Sequence, residues 1–406
     1  MNFRSRVLIR LSLAGIACVL AGSFSPAHAQ RTTSVDGSID VGGGLNNYPV
    51  TTAAGESTQN EEFYNVSPAA NLTSRTARST LNLSYAFGWN RFGSEQPRNS
   101  TSHAVGLTWS REFSPRWSVR ATEYYSRTSD LQTFYALRGV AIEDDALFYL
   151  FYPVTTNTSI GTNSLSVSFD NKFSPRSTLS FGASHSIGLY GDSEGLLVGL
   201  SDLQTFSANA SYSRRLNDRT SWNVGYTGSY FTFDKFNSAV STAVTIGLSS
   251  TVAKNTTVNV SVGPSRVSNM NASGTNTTLT ASLSLSKRVR ENSFHVTIGN
   301  NNASATGVGS VSATRSATAG ISRPLGRRVN LFGEFSAFDG VGIVGNPFNT
   351  RGVSATANMG YTLVKNLTLQ GGVQFQKYLR PAPYAFTQRR LFVSLRYTQP
   401  NLLRSH

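Results

Sequence analysis

The residues able to make or break bonds are few and scattered. The five histidines are His28, His103, His185, His295 and His406. None shows the H-E-x-x-H spacing or any other spacing that brings ligands onto one metal ion. Serine is abundant, but no G-x-S-x-G elbow is present, and hydrolysis would need a Ser–His or Asp–His pair. His185 has Ser184 and Ser186 beside it, and in an extended strand these point to the opposite face. The glycine runs Gly42-Gly43-Gly44 and Gly371-Gly372 have no helix after them, so they cannot form a phosphate-binding turn. They read as tight packing or bends in a wall. The pattern implies no enzyme, no cofactor and no metal. The chemistry left is that of fixed charge and polar surface.

That surface is carried by strands. Ser110 to Arg120 reads S-R-E-F-S-P-R-W-S-V-R. Val105, Leu107 and Trp109 alternate with polar or small residues on the way in, and Trp117, Val119 and Ala121 do so on the way out. Between them Pro115 presets φ and offers no N–H, so it belongs to a turn. Phe173-Ser174-Pro175-Arg176 repeats the unit. Looser copies lie at Leu216-Asn217-Asp218-Arg219, Val252-Ala253-Lys254-Asn255, Val289-Arg290-Glu291-Asn292, Leu325-Gly326-Arg327-Arg328 and Leu363-Val364-Lys365-Asn366. From Leu216 onward they recur roughly every 36–39 residues, one hairpin per repeat, with strands long enough to cross a bilayer obliquely.

Composition agrees. The chain has 406 residues, 14% charged and 39% hydrophobic, with aromatics at 11%. It is too polar for a helical membrane protein and too aromatic for a disordered one. Residues 1–29 read as a cleaved secretory signal: Arg4, Arg6 and Arg10, an apolar run from Leu11 to Leu20, then Ala27-His28-Ala29. Gly15-Ile16-Ala17 before Cys18 is a poor lipoprotein signal. Cys18 is the single cysteine, so cleavage would leave no thiol chemistry. The formal charge of +15 falls by three with the signal. In an exported chain it points to anionic lipid head groups rather than nucleic acid.

About 18 strands are expected, or 16 if the first pair does not insert. They run from a weak first strand at 34–43 to a last strand near 388–398. Long connections are expected near 44–61, 92–100, 129–161, 191–202, 267–276, 340–351 and 379–387. The apolar face repeats throughout, as in Leu81, Leu83, Tyr85, Phe87 and Trp89, or Leu279, Ala281, Leu283 and Leu285. The opposite face is small and uncharged, as in Thr368, Gln370, Gly372, Gln374 and Gln376. An apolar face turned to lipid and a polar face turned to water define an all-β, antiparallel, up-and-down transmembrane barrel. Closure is obligatory, because hydrocarbon offers backbone groups no partner. The barrel should occupy residues 30–398, with 399–406 a short tail. The expected pore-lining charges are Arg120, Asp170, Arg215, Arg315, Glu334, Arg390 and Arg396, an excess of base that favours anions mildly. Arg116, Arg176, Arg219, Lys254, Arg288, Arg327, Arg328 and Lys365 mark the short turns.

Arg390-Leu391-Phe392-Val393-Ser394-Leu395-Arg396-Tyr397 resembles the C-terminal assembly signal of outer-membrane barrels. Arg390, Leu395 and Tyr397 match it, and Phe392 stands where that signal usually has glycine. Its role would be to offer an edge strand to the barrel assembly machinery. Together with turns of the form S-R-x-[FL]-[SN]-x-R, at Ser110 to Arg116 and Ser213 to Arg219, the chain resembles the β-barrel porin 2 type of Gram-negative outer-membrane protein over roughly residues 60–398. The resemblance implies an outer-membrane location, contact with outer-membrane lipid and lipopolysaccharide, and passive diffusion of small hydrophilic solutes. A homo-oligomer is compatible with it. The alternatives are a component associated with exopolysaccharide export, and a structural or adhesion barrel with a blocked lumen.

The connection 129–161 holds Glu143-Asp144-Asp145 beside the apolar run Phe148-Tyr149-Leu150-Phe151-Tyr152. Loops this long usually have a function. If it folds inward it resembles the third loop of general porins, with its acids facing a basic wall that would include Arg120 and Arg138.

Overall fold

The computed structural model describes residues 31–52, 55–93, 98–129, 159–191, 201–270, 275–305, 309–345, 349–380 and 387–405. They form one 18-stranded antiparallel sheet in which each strand pairs with its chain neighbours, and β1 (Thr32–Thr52) also pairs with β18 (Thr387–Ser405), closing the barrel. The remaining strands are β2 (Gly55–Arg75), β3 (Ser79–Phe92), β4 (Arg98–Ser114), β5 (Trp117–Thr128), β6 (Ile160–Ser174), β7 (Ser177–Tyr190), β8 (Leu203–Arg215) and β9 (Thr220–Phe233). Then come β10 (Ala239–Ala253), β11 (Thr256–Asn269), β12 (Thr275–Val289), β13 (Asn292–Ala305), β14 (Ser310–Leu325), β15 (Val329–Gly345), β16 (Asn349–Val364) and β17 (Leu367–Arg380). Of the proposed division of the chain, the signal 1–29 lies outside the described residues.

One end of the barrel carries the short turns, and their recurring sequence has a local cause. The Ser114 hydroxyl accepts hydrogen bonds from the backbone N–H of Arg116 and Trp117, at 3.3 and 3.2 Å. Ser174 accepts from Arg176 at 3.2 Å, and the Asn217 side chain accepts from Arg219 at 2.8 Å. A short polar side chain thus closes the turn in place of a backbone carbonyl, which is why Ser or Asn recurs there. In the tighter turns Asn255 and Arg290 take φ of 64° and 54°, a conformation that Asn tolerates better than Arg does.

The expected connection 340–351 is mostly strand, since β15 runs to Gly345 and β16 starts at Asn349, and two boundaries at the closing seam are corrected as well. The expected connection 44–61 is mostly strand, since β1 and β2 pair in unbroken register from Thr32↔Arg75 to Thr52↔Gly55. The glycine run masked the alternation. Gly42 and Gly44 lie so close to β18 that a Cβ on Gly44 would overlap the Leu391 carbonyl. The expected tail at 399–406 is, through Ser405, the end of β18. It pairs with Thr33, Ser34 and Val35 across a register shift between Val35 and Gly37. Pro400 falls in that irregularity, where the ladder needs no donor. The Asn401 N–H is satisfied by the Asp36 carboxylate at 2.8 Å.

Cross-strand partners share a face, so the register sorts the residues. One face carries Ile39, Leu83, Phe181, Phe206, Val244, Ile246, Leu248, Val260, Leu283, Phe335, Val373 and Val393, all exposed although apolar. The other carries Ser, Thr, Asn, Gln and Gly. In water, the first face would be an apolar surface far larger than soluble proteins show. Around a closed barrel it is the surface that hydrocarbon covers. Ile246 is the middle residue of β10, and Arg near mid-membrane costs about 2–4 kcal/mol. Ile246→Arg is expected to abolish the shift between unheated and boiled samples on a gel, while Thr245→Arg, one residue away and facing inward, keeps it.

Candidate functional site

The site is the inward face. Across its middle and turn end the side chains are small, polar and open to water: Asn82, Ser84, Asn209, Asn223, Thr227, Asn259 and Thr297 are all exposed. Hydroxyls pair between neighbouring strands, as in Ser207–Ser229 at 2.9 Å, Ser261–Ser282 at 2.7 Å and Thr318–Ser336 at 3.0 Å. These pairs satisfy one another without drawing in charge, leaving a wall of weak, exchangeable donors and acceptors. Such a wall can solvate a polar solute without holding it.

Toward the loop end the inward face changes character. Phe63, Phe92, Phe338 and Tyr378 are 1–4% exposed. Phe338 and Tyr378 meet edge to face at 5.6 Å, and the Arg390 guanidinium lies over the Phe63 ring at 4.3 Å. A hydrophobic cluster of Leu203, Phe231, Phe233, Ala239, Val267 and Val311, with Phe236, Ile343 and Val344 packed against it, joins β8–β11 to β14 and β15. Strands β11 and β15 touch although three strands separate them in the ladder. At ~4.8 Å per strand an evenly curved wall would keep them nearly 20 Å apart. The wall here is therefore sharply bent, and the passage narrows at this end. Gly309, at φ 69°, sits against the Phe236 ring, where a Cβ would collide with it. No alternation pattern signals this narrowing, because strands far apart in sequence contribute one or two aromatics each.

The expected lining charges fall as follows. Arg120 faces inward, in register with Ser110 and Ser168. Asp170 faces inward and accepts from the Ser180 hydroxyl at 2.6 Å. Arg215 faces inward at the turn end of β8, paired in register with Ser221. Arg390 and Arg396 face inward on β18, and Leu395 and Tyr397 of the same strand face outward. Glu334 meets His295 Nε2 at 3.3 Å. The imidazole lies across Gly320, where a Cβ would overlap the ring. Arg315 is a correction: its partners Asn300 and Asp339 share the face of Ile298 and Ala337, so it points out of the barrel. The strand was read in the right place, but Arg315 is one step out of phase with inward Thr314 and Ser316. The proposed constriction residues Arg138, Glu143, Asp144 and Asp145 lie outside the described residues.

Asp40 is a lining charge that the sequence does not single out, because alternation in the first strand is faint. It faces inward and accepts from Arg396 Nε at 3.2 Å and from the Ser394 hydroxyl at 3.4 Å. With Arg315 outside and Asp40 beside Arg396, the excess of base in the lumen shrinks. His185 does not join the lumen. It stacks on Phe206 on the outer face, 4.3 Å between ring centres, and lies 2.9 Å from the Gln204 side chain. Among the described residues no three His, Cys, Asp or Glu side chains group as metal ligands.

A closed barrel with an apolar exterior and a wet polar interior defines the class: a transmembrane β-barrel. No protein-family model matches the chain, and no curated protein matches it in sequence. Similar solved structures include OccAB4 of Acinetobacter baumannii, with TM-score 0.48, 9% identity, and 93% of this chain and 100% of that chain covered. A BenF-like porin from Pseudomonas fluorescens gives 0.49, 11%, 91% and 98%. The FrpB iron transporter of Neisseria meningitidis gives 0.46 and 10%, over 85% of this chain and 62% of that one.

The Asp40–Arg396 pair sets a measurable balance. Asp40→Asn removes one lumen anion and frees a guanidinium, so the reversal potential in a KCl gradient is expected to move toward anion preference. Arg396→Gln should move it the other way, and high salt should shrink both shifts.

Proposed function

We propose that the chain is an outer-membrane channel for passive diffusion of small hydrophilic solutes, exported by its signal segment and inserted through the barrel assembly machinery. The observation that supports this best is the inward face. It is continuous, small, uncharged over most of its area and exposed along the middle and turn end, so a solute can exchange hydrogen bonds along it. The packed aromatics toward the loop end then set the size limit. Leu395 and Tyr397, outward on the closing strand, suit an assembly signal read from the lipid side. The basic short turns suit anionic head groups on the other side of the membrane.

The same packed end favours one second reading, a structural or adhesion barrel with a blocked lumen. Liposome swelling separates the two. With refolded chain, pentoses and hexoses are expected to enter and the rate to fall steeply for trisaccharides. Phe231→Ala with Phe233→Ala should extend the limit to larger sugars. A wild type and a double variant that both admit no pentose, although folded, would support the blocked barrel.

A further inference from the structure

The bent wall has a second consequence, on its outer side. A groove of about 680 Å³ runs across the outer face of β11–β17. Its floor is small, with Ala281, Ala317 and Ala337. Leu283, Ile298 and Val353 form its flanks. At its loop end stands a polar row in cross-strand register, Asn300↔Arg315↔Asp339↔Arg351, all on the outer face. Arg351 Nε donates to Asp339 Oδ1 at 3.0 Å. The Asn300 amide is used by the Leu279 carbonyl. The Arg315 side chain makes no hydrogen bond or ion pair among the described residues, and it is exposed. Two guanidiniums and one carboxylate leave a positive site above an apolar trough.

Its height matters. Arg315 is about ten residues from the turn end of β14. At ~3.3 Å per residue and ~40° of tilt, that is about 25 Å of rise, the full height of a barrel's apolar band. Arg315 and Asp339, each about ten residues from the turn end of its strand, therefore sit where hydrocarbon gives way to head groups, and the strand tilt carries Arg351 higher still toward the loop end. A charge placed deeper would be unpaired in hydrocarbon.

From this geometry we infer that the groove is a binding site for a phosphorylated, multiply acylated lipid of the outer leaflet. An acyl chain fills the trough over Ala281, Ala317 and Ala337. A headgroup phosphate accepts charge-assisted hydrogen bonds from Arg315 and from the free edge of Arg351, while Asp339 holds Arg351 in place. The alanine floor gives the chain room, and the guanidinium pair selects the anion. The site is independent of whether solutes cross the lumen.

Native mass spectrometry of the refolded full chain in detergent tests this, with bis-phosphorylated lipid A and its dephosphorylated form as probes. The wild type is expected to retain lipid A at one copy per chain and to lose the dephosphorylated form. Arg315→Gln with Arg351→Gln should lower retention of lipid A at least ~tenfold, as the loss of charge-assisted bonds implies. Ala317→Leu, which fills the trough, should lower it too. Both arginines are exposed, so their exchange should leave the gel shift intact even if Ala317→Leu fails to fold. Equal retention by wild type and arginine variant would overturn the site, as would equal retention of both lipids. A dimer abolished by Ala317→Leu, with no lipid bound, would assign the groove to a second copy of the chain instead.

Discussion

Closure of the ladder between β1 and β18 is the constraint from which the rest follows. In hydrocarbon each unsatisfied backbone group costs several kcal/mol, so a sheet with two free edges cannot stay there. The first strand has three successive glycines and little hydrophobic content, and alone would be a poor strand. It is held because β2 and β18 both pair with it along its length, and because its glycines let those neighbours come close. Its weakness in sequence and its importance in structure have one cause: the seam is made mainly by backbone, with polar contacts such as Asp40–Arg396 in place of apolar alternation. The extension of β18 past Pro400 to Ser405 belongs to the same seam, absorbed by a local irregularity and an Asp36 cap.

Once the ladder is closed, chemistry divides by parity. Odd and even positions face different solvents, so one-residue alternation decides which groups meet water and which meet acyl chains. This is why strand positions and the wet inner face are legible in hydrophobic periodicity alone, and the register turns Arg120, Asp170, Arg215, Glu334, Arg390 and Arg396 to that inner side. At Arg315 residue type and direction part company. Near the loop end, the apolar band has given way to interface and arginine is tolerated on either face, so residue type no longer reports direction. Asp40 shows another limit, since a charge cannot be assigned to a face when its strand is barely visible.

What could not be read at all is the bend in the wall. It depends on contacts between β8–β11 and β14–β15, made by single residues such as Phe231, Val267 and Val311 that look unremarkable in their own strands. That bend links the two sides of the barrel. Inside, it packs aromatics toward the loop end and narrows the passage. Outside, the same stretch of wall carries an alanine-floored groove below a polar row that holds two arginines. A change in the packing of one side would be felt on the other, because adjacent strands share their hydrogen bonds.

The central claim is that inward positions line water and outward positions line lipid. Thiol labelling in intact vesicles tests it directly, in the mature chain with Cys18 removed. A charged, membrane-impermeant maleimide is expected to modify Asn223→Cys and Thr227→Cys quickly and to leave Val244→Cys and Ile246→Cys unmodified until detergent is added. Rapid labelling of the second pair in sealed vesicles, or protection of the first, would contradict the account.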